Sequence, residues 1–205
     1  GVPVRRLWQI AEKMRTNSGS NLNALSLARL ILSDKLLSSA QTERFIKTEI
    51  GNKRFEDLPR PFACVAMDFY SGEAIIFREG DLAPAVRASM NLPGLFAPIE
   101  YRHRYLVDGG VVDYIPVDAA RLLKAEWVLA SIAETDFTHS KPQSVLQSLE
   151  QVIDIRGAFL SREQRKQANF LIEPPVGDIA MHEADRTHEA IKKGVIAGTR
   201  AAPAA

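Results

Sequence analysis

Apolar residues near the start of the chain recur with a period of about 3.6. Val4, Leu7, Trp8, Ile10, Ala11 and Met14 fall on one face and Arg5, Arg6, Glu12 and Lys13 on the other, which predicts an amphipathic helix over 3–14. The polar run 16–21 reads as a turn. Leu22, Leu25, Leu27, Leu30 and Ile31 then give residues 22–38 a second helical face, suited to core packing or to lining an acyl-chain pocket. A helix over 43–50, capped by Gln41 or Thr42, is expected to stop at Gly51. Residues 55–61 form a stiff connector with two prolines.

Beyond residue 60, strands and helices alternate. Residues 62–68 and 73–78 read as two strands joined at Tyr70-Ser71-Gly72, with Asp68 as a turn residue. A helix over 82–90 follows, with Asp81 as its N-cap. A strand ending at Asp108 precedes a helix over 117–124, and the apolar run 127–133 reads as a buried strand. A polar loop over 134–143 leads to a helix over 144–156 with a charged continuation over 161–167. A short strand over 169–172 and a helix over 185–196 complete the set, and residues 198–205 read as a flexible tail. The alternation predicts an α/β protein with a layered sheet. No internal repeat is present.

Composition narrows this only slightly. With 205 residues, 46% apolar and 25% charged, the chain reads as a single domain with a substantial core. A net charge of +1 gives no sign of nucleic acid as a partner. Residues 1–60 hold 11 Lys and Arg against 6 Asp and Glu. This basic part could face anionic lipid head groups, although a solvated helix surface is the plainer reading. The single cysteine, Cys64, excludes an internal disulfide, and its apolar neighbours mark it as a small core residue. No stretch is long and apolar enough to span a membrane. The chain opens at Gly1-Val2-Pro3 without a methionine, so the N-terminus is expected upstream, and a targeting signal there is left open.

The candidate chemistry centres on Tyr105-Leu106-Val107-Asp108-Gly109-Gly110, an apolar run ending in a carboxylate and two glycines. A strand delivers an acid to the rim of a sheet in this way. The glycines are expected to turn the backbone with positive φ and to leave space beside the carboxylate. Upstream, Ala88–Pro98 is a small-residue segment punctuated by Pro and Gly; downstream, Pro116 stands near the first turn of a helix. By itself Asp-Gly is a common turn dipeptide. The ordered set carries more: A-S-x-x-x-P-G-x-F-x-P from Ala88 to Pro98, a strand, D-G-G from Asp108, and P-V-D-A from Pro116. This set resembles the patatin-like phospholipases, in particular their bacterial members, from about residue 60 to the region of Gly194.

That resemblance implies a patatin-like layered sheet with helices on both faces. It also implies an acyl-ester hydrolase acting on lipids, in which Asp108 is the base of a Ser-Asp dyad and Gly109 and Gly110 support it. Asn91, Pro93 and Phe96 are candidates for the pocket wall near Asp108. The G-x-S-x-G elbow that carries the family's nucleophile, and its glycine-rich oxyanion loop, are absent from the sequence. Ser18 and Ser20 lie in no such elbow and follow no strand, so no nucleophile is assigned within this chain. The chain is therefore expected to begin just after the serine's own helix, without the first strand–helix unit. The sheet would then show an open edge beside Asp108, or another polypeptide filling it. The alternative is a catalytically inactive, patatin-derived module that binds lipid or a protein.

Other constellations are weaker. His182 and His188 stand at i and i+6, about 120° apart on a helix and unsuited to a shared metal; no metal and no organic cofactor are expected. His103 reads as an exposed strand residue. Asp113 and Asp118 could suggest a carboxylate cation site with Asp108, but no calcium-loop pattern is present and Asp118 suits the start of a helix. The expected partner is a lipid or acyl-ester substrate and not a nucleic acid; peripheral membrane contact and a homo-oligomer are left open. The expected location is cytoplasmic or membrane-peripheral.

Overall fold

The computed structural model describes residues 3–10, 39–134, 136, 141–142, 145–179 and 183–202. The expected turn over 16–21, the helix over 22–38, most of the loop over 134–143 and His182 lie outside these. The chain divides into two compact units, one of Leu36–Ala130 with Lys141–Asn169, the other of Gly1–Lys35, Ser131–Ser140 and Phe170–Ala205.

In the larger unit, the first helix (Ala40–Ile50, here α2, after the helical residues 4–10, α1) starts three residues earlier than the sequence predicts. Neither Gln41 nor Thr42 is its cap. Ser39 holds that position without a capping bond, because its hydroxyl is turned to Asn91 instead. Gly51 ends the helix with φ +78°, as its lack of a Cβ allows.

Strands β1 (Cys64–Asp68) and β2 (Ala74–Phe77) form the expected antiparallel hairpin, with Val65 opposite Ile76. Asp68 closes the turn, its carboxylate accepting the N–H groups of Tyr70 and Ser71 and the guanidinium of Arg104. Helix α3 (Leu82–Ser89) begins after Asp81, which makes no side-chain cap bond; Leu82 N–H is taken by the Lys53 carbonyl instead.

A second hairpin follows, β3 (Ile99–Tyr101) and β4 (Arg104–Asp108). Its two-residue turn is Arg102-His103, with φ +52° and +62°, so His103 sits in a tight turn and not on a strand. The sheet order is β2-β1-β4-β3, and every neighbouring pair is antiparallel. One face is covered by α3, whose Leu82, Ala85 and Ala88 pack on Ala66, Phe77, Ile99 and Leu106. The small residues on this helix let it lie close to the sheet.

The outer strands are β2 and β3, and β4 lies inside. No open edge therefore adjoins Asp108 among the described residues. Ala66 of β1 pairs with it on one side, and the Asn91 carbonyl takes its N–H on the other. The expectation of an exposed edge came from doubly wound topology, whereas two joined hairpins place the strand carrying Asp108 in the interior.

Helix α4 (Val117–Leu122) starts after Pro116. Strand β5 (Leu129–Ser131) is shorter than expected and half-buried, with Val128, Ala130 and Ile132 inward and Trp127 and Leu129 exposed. Helix α5 (Val145–Gln167) runs without a break through Gly157. A Cβ there would lie 2.6 Å from the Tyr114 ring, so glycine serves the helix's fit against its neighbour. In the smaller unit, β6 (Phe170–Ile172) receives the Ile132 N–H. Helix α6 (Thr187–Ala201) continues into residues read as tail. There Asp178 is paired with both Arg186 and Lys193, which holds its carboxyl well down, at about 2. No helix among the described residues is long and apolar enough to cross a membrane.

Candidate active site around Asp108

Alternation along β4 buries Leu106 and Val107 on opposite faces and leaves Asp108 half-buried at the strand's end. The chain then leaves the sheet through one 3-10 turn, Gly109–Val111. Gly110 N–H donates to Asp108 Oδ1 at 2.8 Å, which fixes one carboxylate oxygen. No cation pairs with the carboxylate, and Oδ2 has no hydrogen-bond partner among the described residues. Burial pushes the carboxyl above its ordinary value, and the Gly110 N–H pulls it partly back. The result is an acid with one anchored oxygen, one open oxygen and raised basicity.

Neither Gly109 nor Gly110 has positive φ, contrary to the expectation from the motif. Their need is for space. A Cβ on Gly109 would stand 2.4 Å from the Val65 carbonyl oxygen, and one on Gly110 would be 3.2 Å from Asp108 Oδ1. Glycine thus lets the backbone leaving β4 pass against β1 while its N–H turns back to the carboxylate.

Asn91, expected in the pocket wall, is fully buried. Its side-chain Oδ1 accepts the Ser39 hydroxyl at 2.6 Å, and its Nδ2 donates to the Ala97 carbonyl at 2.9 Å. Pro93 and Phe96 are half-buried in the turn that follows, where Gly94 has φ +82° and Phe96 N–H bonds to the Leu92 carbonyl.

The segment after the glycines is clamped by α5. Arg156 donates to the Val111 carbonyl. Gln164 accepts the Ile115 N–H and donates to Asp113 Oδ1, both at 2.8 Å. Asp113 is thereby part of a structural contact. Its carboxyl is raised, first by burial and then by the Asp118 charge, against the Gln164 bond. Asp118 is exposed in the first turn of α4, where a carboxylate suits the helix dipole. The described residues contain no cluster of three or more His, Cys, Asp or Glu able to hold a metal. Burial pushes the Cys64 thiol up to about 12, so it stays protonated and unreactive.

Ser39, Arg87 and Gln164 went unread in the sequence. Each acts on a residue more than forty positions away, and no local pattern announces such a contact.

Chemically, a half-buried carboxylate with one free oxygen can accept a proton from a hydroxyl brought to it. The sequence comparisons bear on the family. A family model for patatin-like phospholipase matches residues 3–121, more than half of the chain. An uncharacterized NTE family protein of Mycobacterium tuberculosis is 37% identical over 83 residues, which make up 40% of this chain and 14% of that protein. A second from the same organism is 32% identical over 107 residues, 52% of this chain and 28% of that protein. Mouse patatin-like phospholipase domain-containing protein 6 is 31% identical over 109 residues, 50% of this chain and 8% of that protein. The chain spans less than a third of the length of these relatives. With the motif set, the mixed α/β sheet and the matched family model taken together, the chain belongs to the patatin-like phospholipase family.

Proposed function

We propose that this chain supplies the general base of a Ser-Asp dyad that hydrolyses acyl esters of lipids. The observation that carries the reading is Asp108 itself: a half-buried carboxylate at the end of a strand, one oxygen held by Gly110, the other open and no cation in attendance among the described residues. A structural aspartate at such a place is ordinarily neutralised by an ion pair or saturated with donors. This one is neither.

In the proposed cycle, a serine hydroxyl attacks the ester carbonyl carbon as Asp108 takes its proton. Collapse of the tetrahedral intermediate breaks the bond to the alcohol, which leaves with the proton returned from Asp108. A water then loses a proton to Asp108 as it attacks the acyl-serine. The fatty acid departs and the serine regains its hydrogen. This reading takes the nucleophile and the oxyanion donors from polypeptide other than these 205 residues, in keeping with the absence of G-x-S-x-G from them. Oxyanion donors are each worth about 2.7–4 kcal/mol, so a chain without them turns over slowly at best.

The same absence supports a second reading, an inactive module that binds lipid or protein. Fluorophosphonate labelling separates the two. Under the first reading, the whole protein carrying its upstream sequence takes one phosphonate on a serine outside residues 1–205, and Asp108→Asn abolishes ester hydrolysis. Retained hydrolysis in Asp108→Asn would sink the dyad. A whole protein that takes no label and turns over no ester, yet binds vesicles or a partner, would establish the module.

A further inference from the structure

We propose that Asn91 is a positioning residue for Asp108, held in that role by Ser39, Arg87 and Glu43. The proposal rests on the reading of Asp108 as the base. Strand β3 covers β4 only as far as the pairing of Ile99 with Leu106, so the ladder offers no partner to the next outward N–H, that of Asp108. The Asn91 carbonyl supplies it at 2.9 Å. A strand's last N–H commonly turns to water, and the strand end then frays. Here the acceptor is the backbone carbonyl of a residue whose own side chain is locked from two directions.

That lock is a chain of contacts inside the larger unit. Asn91 is 0% exposed, and an amide so buried is costly unless both ends are bonded. Ser39, itself 3% exposed, donates to Asn91 Oδ1 and accepts from Arg87 Nε at 3.0 Å. The other arm of Arg87 reaches Glu43 Oε2 at 2.9 Å, so α2 and α3 meet at an ion pair behind the serine. Asn91 Nδ2 meanwhile secures the Ala97 carbonyl, which fixes the loop leading to β3. The carbonyl facing Asp108 is therefore held from α2, α3 and that loop at once. An alanine at 91 would keep the carbonyl and lose everything that aims it.

A residue that only fills the core would, when cut back, lower the folded fraction without altering the carboxylate in the molecules that fold. A positioning residue alters the carboxylate itself. The test has two arms. In the 205-residue chain, the Asp108 carboxyl is titrated by carbon NMR in wild type, Asn91→Ala, Ser39→Ala and Ser39→Thr. Loosening the strand end admits water, so the midpoint falls toward the ordinary aspartate value in the two alanine variants and returns in Ser39→Thr. In the whole protein, Asn91→Ala lowers kcat on the order of a hundredfold with KM unchanged, as expected for a misaimed base, and the acid limb of the pH profile moves down with the NMR midpoint.

An Asp108 midpoint that is the same in wild type, Asn91→Ala and Ser39→Ala overturns the proposal, whatever the activity does. If Asn91→Ala does not fold, Ser39→Ala decides alone, because it leaves Asn91 in place and removes only the hydroxyl's two bonds, to Asn91 and from Arg87. Ester hydrolysis surviving in Asp108→Asn would instead defeat the dyad, and the titration would still say whether Asn91 aims the carboxylate.

Discussion

Gly109 lies so close under Val65 that a methyl group on it would meet the Val65 carbonyl oxygen at 2.4 Å. The contact is with backbone, and backbone cannot rotate away as a side chain can. Gly109→Ala should therefore force β4 from β1 and destabilise the larger unit by about 1–3 kcal/mol, read as a lower urea midpoint. Gly110→Ala meets side chains alone, the Asp108 carboxylate at 3.2 Å and the Tyr114 ring at 3.8 Å, and should cost less. Equal stability of Gly109→Ala and wild type would show that the close approach is not binding on the fold.

Asp108 should weaken the fold near neutral pH. Its carboxyl is raised by burial, so the folded state holds the proton more tightly than the unfolded chain does. Its contribution is complete below the unfolded value of about 3.9 and is lost as pH rises through the folded one. Asp108→Asn should accordingly be at least as stable as wild type at pH 7, with the difference shifting toward wild type as pH falls through that window. Paired denaturation curves at several pH values check it. A wild type that gains on the variant as pH rises would reverse the sign and reject a destabilising carboxylate.

Gln164 bonds to two parts of the segment after the glycines, and leucine at that position would leave the Ile115 N–H and Asp113 short of partners. A loss of about 1–3 kcal/mol follows from stranding buried polar groups. Because Gln164 lowers the Asp113 carboxyl against two raising influences, Gln164→Leu should also move the Asp113 titration upward. NMR titration of Asp113 distinguishes this from a general loss of packing, which would leave the midpoint where it was.

In the smaller unit, Lys193 is the leading cause of the depressed Asp178 carboxyl, ahead of Arg186. Lys193→Met should raise its midpoint from about 2 toward the ordinary range. The contribution of Asp178 to stability is present above its unfolded value and disappears as pH falls through about 2. A midpoint unchanged in the variant would mean that Arg186 alone holds the carboxylate.

What the sequence made legible were the features written in consecutive residues. The β1–β2 hairpin was readable because Gly72 and the polar turn lie between two apolar runs, and Asp108 because an apolar strand ends on it. The reason for the glycines was not, since Val65 is distant in the chain and only pairing brings its carbonyl beneath Gly109. The start of α2 was not legible either, since Ser39 takes the cap position without a capping bond and gives its hydroxyl to Asn91, fifty-two residues away. Nor was the burial of Asn91 legible: an amide reads as exposed until its partners are known. Helix α5 runs unbroken through Gly157 although glycine weakens a helix locally, and Tyr114 requires that absence of side chain.

The placing of β2 and β3 on the outside of the sheet bears on how this protein behaves in a crowded solution. These strands are four and three residues long, and each can offer only about two outward backbone groups to a neighbour. An edge so brief is a poor template for a foreign strand, and the longer inner strands, β1 and β4, are shielded by it. The strand that bears Asp108 is thereby kept out of the reach of cross-β growth, and a variant that frayed β3 would expose it to aggregation before it unfolded.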